Sequence, residues 1–252
     1  MRTRALIPAV FVVSLALAAC SSPAVENSGV DAPPTAPAAD DFSDVSSYYP
    51  VGEGNTWQYE MVMPDPIGTV VETETMTEVV RDGDAVRATI ERTFHYESGF
   101  AEDVTDSVDY LFYDDGSLEV PYQSLPDSSG AVVTVKEGTM AWPSDEEFEA
   151  GTKKTGTIKA SVETSGQTID QVIDFVIAGG GTETVKVPAG EFDARLLKQT
   201  LTISIPDFGV DGLTMKASSW LAPGTGLVRT EIPNILGEGS ISMELVKFTP
   251  GE

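Results

Sequence analysis

The 252-residue chain carries 40 acidic against 15 basic residues, a formal charge of −25, with a single cysteine and a single histidine. That balance argues against nucleic acid as a partner, because such binding rests on Lys and Arg neutralising phosphates. It also opposes contact with anionic headgroups over most of the surface. One cysteine excludes a disulfide framework, and together with one histidine it leaves no zinc site of the usual kind.

The first predicted element is an export signal over residues 1–19. Arg2 and Arg4 give a positive start, Leu6 to Leu17 form an apolar run interrupted by Pro8, and Ala18-Ala19 end it in small residues. The run is too short to span a bilayer, which takes roughly 20 apolar residues. Leu17-Ala18-Ala19-Cys20 resembles the lipobox of bacterial lipoproteins. The resemblance implies cleavage before Cys20 and lipidation of its sulfur, which makes the cysteine an anchor and not a redox group. Two or three acyl chains, at about 0.8 kcal/mol per buried methylene, hold where a single chain is marginal. Residues 20–46 then read as a Ser/Ala/Pro/Asp-rich tether, too poor in apolar residues to fold. Residues 47–252 read as one all-β domain, a normal size for that class.

From Tyr48 onward the pattern is that of strands. Val86, Ala88, Ile90, Phe94 and Tyr96 alternate with Arg87, Thr89, Glu91, Thr93 and His95, the period of a half-buried strand. Ile169 to Ile177, Leu201 to Ile205 and Ile241 to Leu245 repeat it. Weaker strand candidates are Trp57 to Met63, Thr69 to Val80, Val104 to Tyr113, Ala131 to Val135, Thr155 to Val162 and Thr184 to Val187. Turns are expected at Asp82-Gly83-Asp84, Asp114-Asp115-Gly116, Ser165-Gly166, Pro188-Ala189-Gly190 and Ala222-Pro223-Gly224. Glu183 to Ile205 reads as one long hairpin. Ser144 to Ala150 predicts a single capped helical turn, with Ser144 as N-cap and Glu147 three residues on. Long strands joined by tight turns predict a curved antiparallel sheet or half-open β-barrel, with a two-sheet sandwich as the alternative.

Two segments resemble bacterial lipoproteins of unknown function, the TapB-like group among them. The first is Tyr48-Tyr49-Pro50, continuing through Gly54-Asn55-Thr56-Trp57-Gln58-Tyr59. The second is Val187-Pro188-Ala189-Gly190-Glu191-Phe192, followed by Trp220-Leu221-Ala222-Pro223-Gly224-Thr225-Gly226-Leu227-Val228. The resemblance implies a curved antiparallel sheet of the kind lipoprotein carriers use, and it supplies no catalytic residues. The residues themselves predict packing roles: Gly54-Asn55 turns the chain into its first strand, and Trp220 plugs one end of the sheet with Phe192 and Trp57.

No catalytic set assembles. His95 falls on the polar side of its strand and has no G-x-S-x-G elbow to serve. Asp103, Asp106 and Asp109 look like a cluster, but a two-residue period turns Asp106 to the opposite face from the other two. Asp207, Asp211 and Gly212 share a loop that could meet a Ca²⁺ but lacks the dense oxygen spacing of an EF-hand. Gly179-Gly180-Gly181 reads as a flexible hinge and not a phosphate cradle. The expectation is a non-enzymatic lipoprotein without cofactor or metal, anchored through Cys20 on the extracytoplasmic side of a cell or outer membrane. It would bind an apolar ligand or an envelope partner. Two further functions stay open: an assembly accessory working through a sheet edge, and a hydrolase using a carboxylate pair.

Overall fold

The computed structural model describes residues 42, 45–120, 132–164, 167–233 and 240–251. The signal segment, Cys20, most of the tether and the Ser165-Gly166 turn lie outside these residues. Within them the chain runs β1 (Thr56–Val62), β2 (Thr69–Asp82), β3 (Ala85–Tyr96), β4 (Val104–Tyr113), β5 (Leu118–Val120), β6 (Val132–Glu137), β7 (Met140–Trp142), α1 (Asp145–Ala150) and β8 (Lys153–Thr164). It continues with β9 (Gln167–Val187), β10 (Gly190–Ile205), a 3₁₀ turn (Pro206–Phe208), β11 (Val210–Ala222), β12 (Gly226–Pro233) and β13 (Ser240–Thr249).

Alternation decides the architecture. One face of each long strand is apolar and must be covered, and a sheet that curls on itself covers it. All these strands join one sheet in the order β6-β8-β9-β10-β11-β12-β13-β1-β2-β3-β4-β5-β7, and every described pairing is antiparallel. This is the expected curved antiparallel sheet; it is not closed into a barrel and does not divide into a sandwich. Its inner face is filled by side chains with almost no exposure, among them Trp57, Tyr59, Phe94, Phe112, Ile158, Ile177 and Leu197.

The two margins of the sheet, β6 and β7, are neighbours in sequence, separated by Gly138 and Thr139 alone. One extended stretch therefore pairs with β8 through its first half and with β5 through its second, clasping the margins covalently. Gly138 makes the crossing possible: its φ is 84°, and a Cβ there would lie 2.3 Å from the Thr157 carbonyl oxygen. Only Leu111 and Phe112 of β4 pair with β5. Among the described residues the margin of β4 from Val104 to Tyr110 has no strand beside it.

Several expectations change. Thr184 to Val187 is no separate strand, because β9 runs unbroken for 21 residues through Gly179-Gly180-Gly181. These glycines lie within the strand, where its pairing with β10 shifts register. A Cβ on Gly179 would lie 2.4 Å from the Phe148 carbonyl oxygen, so the residue is there to let α1 approach. Strands β5, β7, β11 and β12 add to those predicted. The turn of helix is present as α1, with both halves of its capping box formed and Phe148 buried beneath it.

The loops sort to two ends. The β1–β2, β3–β4 and β10–β11 connections lie at one, called here the loop end. At the other, the plug end, residues 45–55 enter together with α1 and the β2–β3, β4–β5 and β11–β12 turns.

Candidate functional site

The two motifs meet at the plug end. Tyr49 inserts into the core, 5.4 Å from Trp57, 5.9 Å from Phe112 and 6.2 Å from Tyr110 by ring centroids, while Tyr48 stacks on Phe148 of α1. Trp57 Nε1 donates to the Thr225 carbonyl at 2.7 Å, and Tyr59 Oη donates to the Leu227 carbonyl at 3.2 Å. The Tyr49 ring lies across Gly226, where a Cβ would stand 3.3 Å from it. Asn55 completes the joint: its amide donates to Pro50 and its carbonyl accepts from Gly251 N. Of the aromatics expected to plug together, Trp57 does so with Tyr49 and Phe248. Trp220 does not. Strand alternation turns it to the outer face, over which the β9–β10 hairpin folds back; there it stacks under Arg229 and donates to Glu183. Phe192 is half-buried against the core.

The described recess beside this plug measures about 20 Å³ and is lined by Tyr48, Tyr49, Phe112, Trp142, Phe148 and Leu221. That is room for one water, not for a lipid chain.

Beyond the plug, towards the loop end, the inner face becomes charged. Cross-strand pairing sets Glu74 beside Arg92 and Arg92 beside Asp106, and the next row sets Tyr59 beside Glu72 and Glu72 beside Phe94. Arg92 is 1% exposed, Glu74 3% and Glu72 4%. Arg92 grips Asp106 through both ends of its fork, Nε–Oδ1 at 2.9 Å and Nη2–Oδ2 at 2.6 Å, and its Nη1 stands 3.9 Å from Glu72. The guanidinium also lies over the Phe94 ring. One cation thus serves three carboxylates in a low-dielectric site, and Glu74 has no counter-charge of its own.

The consequence is electrostatic. Burial pushes the Glu72 carboxyl up to about 7, with Arg92 pulling it back. Burial and then the neighbouring Glu72 push Glu74 up to about 8. Burial first, with Glu74 among the next causes, also raises the Tyr49, Tyr59 and Tyr110 hydroxyls well above their ordinary value. Raised carboxyls bind protons in the folded chain that the unfolded chain has already released, so stability falls as pH rises from about 4.5 to about 8. Between pH 5.5 and 8.5, where ordinary carboxylates are already ionised, urea melts should show a loss on the order of a few kcal/mol. Glu74→Gln should flatten that slope, and a slope unchanged by the substitution would refute this reading.

The remaining candidates disperse. His95 is exposed and bonds Asp103 through Nδ1 at 2.8 Å. Asp109 lies outside, near Arg87 and Thr89, while Asp106 points in, as the two-residue period requires. Asp207 sits in the 3₁₀ turn, Asp211 meets Ser204 at 3.5 Å, and Gly212 is part of β11. Among the described residues no group of three His, Cys, Asp or Glu is placed to hold a metal ion. Glu72, Glu74 and Arg92 were missed in the sequence although their positions share the period of Val70, Met76, Ile90 and Phe94; a charge in an inward register was their only signal.

A second feature lies at the loop end. Of the five large apolar side chains exposed among the described residues, Val62 (62%), Phe100 (48%), Phe208 (52%) and Leu213 (47%) belong to that end, and Val135 lies within β6. The β1–β2 and β3–β4 loops there are tied, with Ser98 Oγ donating to the Ile67 carbonyl at 2.5 Å. The chain enters at the opposite end, where Val45 is buried and Gly224 N donates to the Ser47 carbonyl.

Among solved structures the fold is similar to that of a Bacteroides fragilis protein described as exported and YmcC-like in fold. The TM-score is 0.57 at 17% identity, covering 81% of this chain and 100% of that one. A Parabacteroides distasonis protein described as a lipoprotein gives 0.61 at 16% identity, covering 81% and 99%. At these identities the likeness is one of fold. No curated protein matches the sequence. The family model described as DUF3108-like matches residues 52–239, a span that holds the whole charged cluster and both sides of the Trp57–Thr225 joint, and the chain therefore belongs to the DUF3108-like family.

Proposed function

We propose that this chain is an exported lipoprotein, anchored through Cys20 on the extracytoplasmic side of a membrane, whose sheet binds an apolar ligand or envelope partner at its loop end without catalysing a reaction. The observation that carries the proposal is the gathering of Val62, Phe100, Phe208 and Leu213 at the end opposite the tether. Solitary exposed apolar residues are ordinary, whereas several collected at one end of a domain mark an interaction surface. The twelve residues of β3 put about 40 Å between that end and the tether's entry. The structural neighbours described as exported and as a lipoprotein support the location, and kinship with the TapB-like lipoproteins belongs to the same proposal. Burial of Glu72 and Glu74 weighs against using that pair as a hydrolase's acid and base. The β4 margin from Val104 to Tyr110 favours a second reading, strand addition by an assembly partner.

Two measurements test the leading reading. Cys20→Ser should abolish the acyl mass on the mature N-terminus and move the protein from the membrane to the soluble fraction; an unmodified, membrane-free wild type would overturn the anchor. Native extraction followed by mass spectrometry should show a ligand or partner that Phe100→Ser with Leu213→Ser releases. Retention unchanged by that double variant would overturn the loop-end assignment, and a crosslink confined to the β4 margin would favour strand addition.

A further inference from the structure

We infer that the loop end receives a polypeptide partner presenting a basic amphipathic surface. This rests on the reading that the loop end is a binding surface, and it adds the chemistry of the occupant. Residues 63–68, 97–103 and 206–213 carry six acids, Asp65, Glu97, Glu102, Asp103, Asp207 and Asp211, and no lysine or arginine. Among the described ion pairs of these loops, Asp103 with the exposed His95 is the only one. At the plug end strand residues supply bases to some of the acids: Asp114, Glu147 and Glu149 are paired with Arg81, Lys154 and Arg195, while Asp82, Asp84 and Glu146 have no described ion pair.

The loop end thus combines apolar side chains with carboxylates of which, among the described residues, only Asp103 has an ion-pair partner. Its β1–β2 and β3–β4 loops form a preformed shelf, held by Ser98 on Ile67, by Glu97 N donating to the Thr69 carbonyl, and by the Tyr96 and Phe100 rings 6.4 Å apart. An apolar ligand without charge would leave the six acids idle, and an anionic bilayer would be repelled by them. A helix or strand with apolar residues on one side and Lys or Arg flanking them satisfies both features. The apolar side supplies burial and the bases supply orientation and rate of encounter.

The test uses the mature lipidated protein in phosphatidylcholine nanodiscs, with empty discs subtracted. The probes are a Leu/Lys amphipathic helical peptide, its Leu/Glu counterpart, and phosphatidylglycerol vesicles. The Leu/Lys peptide should bind. Affinity should fall about tenfold or more, equivalent to about 1.4 kcal/mol, in Glu97→Gln/Glu102→Gln/Asp207→Asn and again in Phe100→Ser/Leu213→Ser. Asp82→Asn/Asp84→Asn/Glu146→Gln, with the same charge removed at the plug end, should change it less than about twofold. Unchanged melting of each variant keeps folding out of the comparison. Equal losses in the two charge variants would reduce the effect to overall charge and overturn the inference, as would preference for the Leu/Glu peptide or for the vesicles. If no peptide binds while native extraction still yields a ligand released by Phe100→Ser/Leu213→Ser, this inference fails and the loop-end reading stands; if that release is absent too, both fail.

Discussion

Arg92→Met should unfold the domain more readily than any surface change, at a cost of about 3–5 kcal/mol, because it removes one partner of a buried ion pair and strands the others. For a domain of this size that corresponds to a fall in Tm of roughly 6–20 °C. Three carboxylates, those of Glu72, Glu74 and Asp106, would remain on the inner face with no cation to offset them. The loss should be smaller at pH 5.5 than at pH 8.5, because at the lower pH Glu72 and Glu74 hold their protons. Arg92→Met combined with Asp106→Leu should be less damaged than Arg92→Met alone, since a matched pair of apolar residues leaves less uncompensated charge. Thermal melts of the three proteins at both pH values decide the matter, and a single variant melting within a degree of wild type would show that the cluster is not a buried ionic site.

Trp57→Ala should cost about 3–5 kcal/mol, the range for removing a large aromatic from a packed core. Trp57 is fully buried, packs between Tyr49 and Phe248, and donates to Thr225. The loss therefore combines a cavity with an orphaned carbonyl in the β11–β12 turn. The damage should spread to the joint: amide protection at Gly224 and Leu227 should fall together with that of Tyr49, because one contact surface holds both segments. Trp57→Phe, which keeps part of the ring packing and loses the donor, should fall between the two. Protection lost around Trp57 alone, with the turn unaffected, would mean that the motifs do not support one another.

These residues also show how far the fold was legible. A two-residue period placed Val86, Ala88, Ile90, Phe94 and Tyr96 inward and set Asp106 opposite Asp103 and Asp109; the first four are buried, Tyr96 is half-buried, Asp109 is exposed opposite Asp106, and Asp103 lies just before β4. The same period covers Arg92, Glu72 and Glu74, but charge at an inward position reads as a break in the pattern until its partner is known. The partners lie on other strands, and only the register of β2, β3 and β4 brings them together. Trp220 misled for a related reason. Its inward or outward direction depends on its neighbours on β10 and β12, which a turn motif does not reveal. The packing role of Gly179 was not legible because a glycine needed for close approach looks, in sequence, like one needed for freedom.

Taken alone, the sequence determined the strand character, the capped turn at Ser144 and the acidic surface, because these depend on local periodicity and composition. It also carried the expectation of a lipid anchor at Cys20. Only the tertiary structure decided that segments 168 positions apart, Trp57 and Thr225, form one joint, that β6 and β7 clasp the sheet, and that the loop acids share one end with four of the exposed large apolar residues. Those are consequences of register and curvature, and register is set by contacts between strands, each of which tolerates more than one partner when read by itself.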